Sequence, residues 1–180
     1  MQIQEAELAG LLILTPTKHS DERGYFTEIY NKKTLLDFGF AEAFIQDNQA
    51  YNKSAATLRG LHYQTAPFAQ DKLVRVIQGS IFDVVVDLRR ESSTFGKWFG
   101  VKLSQDNSKQ LLIPKGFAHG YLTLEPDTIV SYKTSNHYAP EYEAGIIWDD
   151  PQININWPQL DKPFVLSAKD QLLPLLADLT

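Results

Sequence analysis

Between residues 70 and 165 the chain is written as short apolar segments of strand type, closed by Gly, Pro, Asn or Asp at intervals of about ten residues. Segments so closely spaced leave no room for helices between them, and the pattern predicts an all-β sandwich or barrel. The clearest element is KLVRVIQGSIFDVVVDLR, which begins at Lys72. Strands over 72–77 and 81–88 flank Gln78-Gly79-Ser80, and Phe82, Val84, Val86 and Leu88 alternate with Asp83, Val85 and Asp87. This alternation predicts a half-buried antiparallel hairpin. Further strands are expected over 97–103, 110–113, 121–124, 129–134 and 146–148.

Two places look helical. Residues 32–38, with apolar Leu35, Leu36 and Phe38, predict a short helix ended by Gly39. Near the other end, Ser167-Ala168-Lys169-Asp170 has the form of a capping box with Ser167 as cap, and Pro174 makes any helix there short or kinked.

With 180 residues, 43% of them hydrophobic and 22% charged, the chain predicts a single domain over 1–180 with a packed core. Seventeen basic against 22 acidic residues leave a net charge of −5, and no Lys/Arg run is long enough to track a nucleic-acid backbone. Any bound anion must be held by a few placed cations. The absence of cysteine removes disulfides, thiolate zinc sites, iron–sulfur clusters and cysteine nucleophiles together. The opening MQIQEAELAGLLILTP carries acidic residues where a signal peptide needs positive charge, so it is read as mature sequence. No run of apolar residues is long enough for a membrane helix, and a cytoplasmic location is the default expectation.

Polar residues of chemical interest cluster in RGLHYQ from Arg59, IPKGFAHGY from Ile113 and SYKTSNHY from Ser131, each interrupting a strand-like run. Strand alternation puts Gly60, His62 and Gln64 on one face and Arg59 on the other, unless the chain bulges at Gly60. A site that uses both Arg59 and His62 requires that bulge. Pro114-Lys115-Gly116 reads as a turn delivering His119 onto the next strand. Each of these residues also has a purely structural reading: a satisfied core histidine for His62 or His119, a solvated edge lysine for Lys72, core aromatics for Tyr132 and Tyr138, and a capping carboxylate for Asp170.

Taken in order, DERGYFTEIY, FIQDNQA, LRGLHYQ, KLVRVIQGSIFDVVVDLRRESSTFGKW, LLIPKGFAHGYL, SYKTSNHYAPEYEAGIIWDDP, INWP and LSAKD resemble the dTDP-4-dehydrorhamnose 3,5-epimerase family over nearly the whole chain. The resemblance implies a cupin-type jelly roll with short flanking helices, one of them C-terminal. It implies an isomerase needing no cofactor and no metal, acting on a dTDP-sugar by inverting carbons 3 and 5 beside a keto group at carbon 4. Carried over, His62 is the general base, Asp170 its orienting partner and Tyr132 the acid on the opposite face. Arg23, Glu28, Gln46, Asn48, Arg59, Lys72, His119, Glu143 and Lys169 contact substrate, and Tyr138 stacks on the thymine. A homodimer with exchanged strands is also implied, with neither nucleic acid nor membrane as partner. One departure is visible: Gln49 follows QDN where the family pattern has His.

These residue types suit the chemistry independently. A hydrogen alpha to a ketone leaves when a base is placed against it and the enolate oxygen is stabilised, and His is poised for the first near neutral pH. Lys72 or His119 is the candidate for the second. Arg59 and Arg23 suit a diphosphate, since guanidinium forks onto phosphate oxygens in pairs. The rival readings are a single-carbon epimerase or ketoisomerase, a metal-dependent cupin oxygenase holding its ion through His62, His119 and Glu28 or Glu143, and a jelly roll that only binds sugar. The absence of a His-x-His pair, with Gln at 64, argues against the metal, and Tyr132 leans the reading toward two inversions.

Overall fold

The computed structural model describes residues 1–179 as thirteen strands and little helix. In chain order they are β1 (Gln2–Glu5), β2 (Leu12–Thr15), β3 (Lys18–Asp21), β4 (Gly24–Thr27), β5 (Gln46–Asn52), β6 (Leu58–Gln64), β7 (Lys72–Gln78), β8 (Ser80–Asp87), β9 (Trp98–Ser104), β10 (Gln110–Ile113), β11 (Phe117–Thr123), β12 (Thr128–Thr134) and β13 (Glu143–Gly145), with one helix, α1 (Lys32–Asp37). Two antiparallel sheets face each other, one ordered β1-β2-β10-β7-β12-β5 and the other β13-β6-β11-β8-β9. This is the jelly-roll architecture the sequence resemblance implied. No helix among the described residues is long and apolar enough to cross a membrane.

The strands flanking Gly79 do not form a hairpin. β7 pairs with β10 and β12, whereas β8 pairs with β9 and β11 in the facing sheet. A single residue separates them, too few for a two-residue hairpin turn, and Gly79 at φ +78 lies against Thr128, so the chain turns a corner from one sheet to the other. Nor is β8 half-buried. Ile81 and Val85 join the core between the sheets, while Val84 and Val86 join a second core on the outer face, with Ile146, Ile153, Trp157 and Leu176 from the chain that follows β13. With both faces covered, the alternation reports two cores of different polarity, and Asp83 and Asp87 are fully buried.

Of the expected helices, α1 is present, capped by the Asn31 side chain and followed by Gly39 at φ +84. The C-terminal helix is reduced to two 3₁₀ turns, Asp170–Leu172 and Leu176–Asp178, with Pro174 between them. The strand expected over 146–148 lies earlier, at β13, although Ile146 and Leu61 still exchange backbone hydrogen bonds.

The bulge at Gly60 is real. Opposite β11, His62 pairs with His119 and Arg59 with Tyr121, so three steps on β6 span two on β11. Gly60 has φ +107, and a Cβ there would sit 2.7 Å from the Gly120 Cα and from the His119 carbonyl oxygen. Gly60→Ala is therefore expected to cost about 1–3 kcal/mol of stability, read by denaturant unfolding. A loss below about 0.5 kcal/mol would show that the bulge adapts to a side chain.

Candidate active site

Apolar side chains fill one end of the space between the sheets, and polar ones line the other. The six-stranded sheet contributes Gln46 and Asn48 from β5, Lys72 from β7 and Tyr132 from β12; the five-stranded sheet contributes Arg59 and His62 from β6 and His119 from β11, with Asn52 and Asp83 buried behind Arg59 and His119 as their hydrogen-bond partners. The cavity has two lobes of about 310 and 430 Å³, and His62, Lys72 and Tyr132 line both. Base and acid candidates thus come from facing sheets and meet at the junction of the lobes. The Gly60 bulge is what lets Arg59 and His62 share this space.

His62 Nε2 lies 2.8 Å from Asp170 Oδ1, whose side chain is 5% exposed. A carboxylate only accepts, so Nε2 carries the hydrogen and Nδ1 keeps its lone pair. Gly60 N–H donates to Asp170 Oδ2 at 3.4 Å. Ser167 Oγ accepts from the Asp170 N–H, as the capping box requires, but the Asp170 carboxylate does not return the bond, because it is turned to His62. Burial pushes the His62 pKa below its ordinary value, with Lys72 acting in the same direction and Asp170 and Glu143 opposing. The imidazole is therefore neutral at pH 7 and able to take a proton.

Lys72 is enclosed between the sheets, and its Nζ donates a long hydrogen bond, 3.4 Å, to the His62 carbonyl oxygen. Burial brings its pKa down to about 8, against the raising influence of Asp83 and Glu143. Burial also raises the Tyr132 phenol, with Arg59 opposing, so it is a protonated donor at neutral pH. Arg59 is steered from the facing sheet, its Nε donating to Asn52 Oδ1 at 2.8 Å, while the Tyr121 hydroxyl donates to the same oxygen at 3.4 Å. Glu143 receives the Tyr138 hydroxyl at 2.7 Å and the Lys169 ammonium at 2.6 Å. Burial works to raise the Glu143 pKa, but these two bonds outweigh it and hold the carboxyl below its usual range.

Eleven of the thirteen sequence candidates either line the cavity or bond to a residue that does. Arg23 and Glu28 are the exceptions. Arg23 sits on the separate β3–β4 hairpin, its side chain 85% exposed and paired with Asp21, and Glu28 just beyond the hairpin accepts a hydrogen bond from Asn31. Gln49, the departure from the family pattern, lies on the outer face of its sheet, away from the cavity. Among the described residues no three His, Asp or Glu side chains are grouped to hold a metal ion. Instead each cavity histidine directs Nε2 to its own carboxylate, His119 bonding Asp83 Oδ1 at 2.7 Å. Asn52 and Asp83 were not recognised from sequence. Asn52 sits in a polar segment without strand periodicity, and Asp83 alternates with apolar residues as an exposed side chain would, on a strand whose two faces are both covered.

The sequence model of the dTDP-4-dehydrorhamnose 3,5-epimerase family matches residues 5–178. The chain belongs to that family. It is 47% identical over 180 residues to the dTDP-4-dehydrorhamnose 3,5-epimerase of Escherichia coli, covering 99% of this chain and 96% of the relative. The enzyme of the same name from Methanothermobacter thermautotrophicus is 46% identical over 168 residues, 93% of this chain and 90% of the relative. Among solved structures, the Bacillus anthracis epimerase with TDP and pyrophosphate bound superposes with TM-score 0.93 at 48% identity, covering 97% of this chain and 99% of that one. The Legionella pneumophila epimerase in complex with dTDP-4-keto-L-rhamnose gives TM-score 0.95 at 41% identity, over 99% and 94% of the two chains. Membership of the epimerase family makes this chain an enzyme of the isomerase class.

Proposed function

We infer that this epimerase inverts carbons 3 and 5 of dTDP-4-dehydro-6-deoxy-D-glucose to give dTDP-4-dehydro-L-rhamnose. The observation that carries this reading is the placement of His62 and Tyr132 on facing sheets, on the walls of one cavity with Lys72 between them. His62 Nδ1 takes the hydrogen alpha to the ketone, and the bond electrons move onto the carbon 4 oxygen. Lys72 stabilises that enolate: its ammonium has donors to spare, whereas the His119 nitrogen that bears hydrogen is committed to Asp83. Tyr132 then protonates the same carbon from the other face, and solvent returns both groups to their starting protonation states. The nucleotide is held by Tyr138 against the thymine and by Arg59 and Lys169 against the diphosphate, local cations on an acidic chain.

Arg23 and Glu28 fit this reading through a second copy of the chain. Among the described residues the β3–β4 hairpin pairs only with itself, and Tyr25 and Phe26 on it are 60% and 73% exposed. In a homodimer with exchanged strands, this hairpin covers its aromatic side chains and carries Arg23 to the partner's cavity.

Tyr132 does not by itself select two inversions over one. A 3′-monoepimerase from Streptomyces bikiniensis, 31% identical with TM-score 0.90, was crystallised as a His-to-Asn and Tyr-to-Phe double variant. Any inversion needs an acid facing the base, whether at one carbon or two.

Turnover in heavy water decides the function. Incubation with dTDP-4-dehydro-6-deoxy-D-glucose is expected to give the inverted product with deuterium at carbons 3 and 5 by NMR, undiminished by exhaustive chelation and dialysis. Deuterium at one carbon only would make the chain a single-carbon epimerase. Activity abolished by a chelator and restored by iron, manganese or zinc would establish the metal cupin, and affinity without exchange a binding protein.

A further inference from the structure

Asn52 ends β5 at 2% exposure, behind the cavity wall and out of reach of a ligand, yet its amide is engaged on every side. Nδ2 donates to the Thr128 carbonyl oxygen at 3.1 Å and to that of Ala50 at 3.5 Å. Oδ1 accepts from Arg59 Nε at 2.8 Å and from the Tyr121 hydroxyl at 3.4 Å. Carbonyl oxygens only accept and a guanidinium only donates, so these neighbours fix which way the amide points. Burial raises the Tyr121 phenol to about 12, which keeps it a donor.

This tie bridges the two sheets. Asn52 and Thr128 are partners on β5 and β12 of the six-stranded sheet, and Arg59 and Tyr121 are partners on β6 and β11 of the five-stranded one. Arg59 is exposed on the wall of the larger lobe, which Lys169 also lines, and it forms no ion pair among the described residues. An untethered arginine samples many rotamers, and a ligand must freeze them on binding. Here the head is already held, by Nε on Asn52 and more loosely by Nη2 on the Tyr51 carbonyl oxygen at 3.4 Å. Both acceptors are neutral, so the guanidinium charge stays uncancelled.

We propose that Asn52 is a positioning residue for the anion-binding end of the site: its neutral amide holds the Arg59 guanidinium by Nε and leaves the whole positive charge, and the remaining N–H groups, for a diphosphate. The proposal deepens the epimerase reading and rests on it for the identity of the anion. It also states why the residue is an amide. A carboxylate at position 52 would hold Arg59 at least as firmly, but as an ion pair that competes with the diphosphate, and it could not donate to the Thr128 carbonyl oxygen.

Asn52→Ala and Asn52→Asp separate tether from charge. In Asn52→Ala, dTDP affinity is expected to fall about three- to tenfold, the loss that goes with freezing one rotamer-rich side chain, while thymidine, which has no phosphate, binds as in wild type. The Arg59 Nε–H of the ligand-free protein should exchange with solvent faster, read by NMR on isotopically labelled arginine. In Asn52→Asp that hydrogen should stay as protected as in wild type, yet dTDP affinity should fall about tenfold or more, again with thymidine unchanged. Equal losses for dTDP and thymidine would overturn the proposal, because a merely structural role loosens the whole site. Wild-type dTDP affinity in Asn52→Asp would overturn it too, since the amide would then preserve no charge. Should Asn52→Ala fail to fold, Asn52→Asp decides alone on the same criterion. A wrong epimerase reading looks different: the wild-type protein would then not bind dTDP, which overturns both, whereas failure of the proposal alone leaves wild-type binding intact.

Discussion

His62→Ala is expected to lower kcat by about 10²–10⁴-fold, the usual contribution of a positioned proton-transfer group, while dTDP-sugar affinity changes little. The division follows from the site. The imidazole is neutral at pH 7 because burial depresses its pKa, its Nε2–H is held by a carboxylate with 5% exposure, and its free Nδ1 belongs to the cavity shared by both lobes. On the proposed reading, affinity comes from elsewhere, through Arg59, Lys169 and Tyr138 on the nucleotide. Steady-state kinetics beside equilibrium titration with dTDP checks the separation. A correctly folded His62→Ala enzyme with wild-type kcat would remove His62 from the mechanism. Equal losses in kcat and dTDP affinity would make it a binding residue.

Tyr132→Phe is expected to separate exchange from inversion. Abstraction and return on one face need only His62, so solvent deuterium still enters the substrate, whereas inverted product requires a donor from the opposite sheet and falls by about 10²-fold or more. The phenol is the group to test because burial holds it protonated and β12 faces β6 across the cavity. The deuterium content of recovered substrate and the yield of inverted product are read in one NMR experiment. If both fall by the same factor, Tyr132 positions the sugar and another group supplies the proton.

The local order of the chain was legible because it depends on neighbours in sequence. Strand-type spacing announced an all-β fold, Leu35 to Gly39 announced α1 and its stop, and Pro174 announced the interruption that leaves only 3₁₀ turns near the end. The need for a bulge at Gly60 could be stated in advance because side-chain direction alternates with a period of two, and only an extra residue brings Arg59 and His62 to the same face. The ordered motifs likewise pointed to the residues that gather around one cavity.

What local patterning does not carry is which strands pair and what covers each face. An apolar–polar alternation reads the same for a hairpin beside solvent and for two strands that leave Gly79 into opposite sheets. The choice was made by the pairing of β7 with β10 and β12 and of β8 with β9 and β11. That choice buried Asp83 and gave His119 its partner. The same long-range packing turned the Asp170 carboxylate from its own helix cap to His62, 108 residues away, and left Arg23 and Glu28 outside this chain's cavity. Residue types and their order are properties of neighbouring positions, and the amino-acid sequence states them directly. Burial, charge pairing and the facing of base and acid arise only when distant strands enclose the same volume, because desolvation and Coulomb interaction act through space and not along the chain.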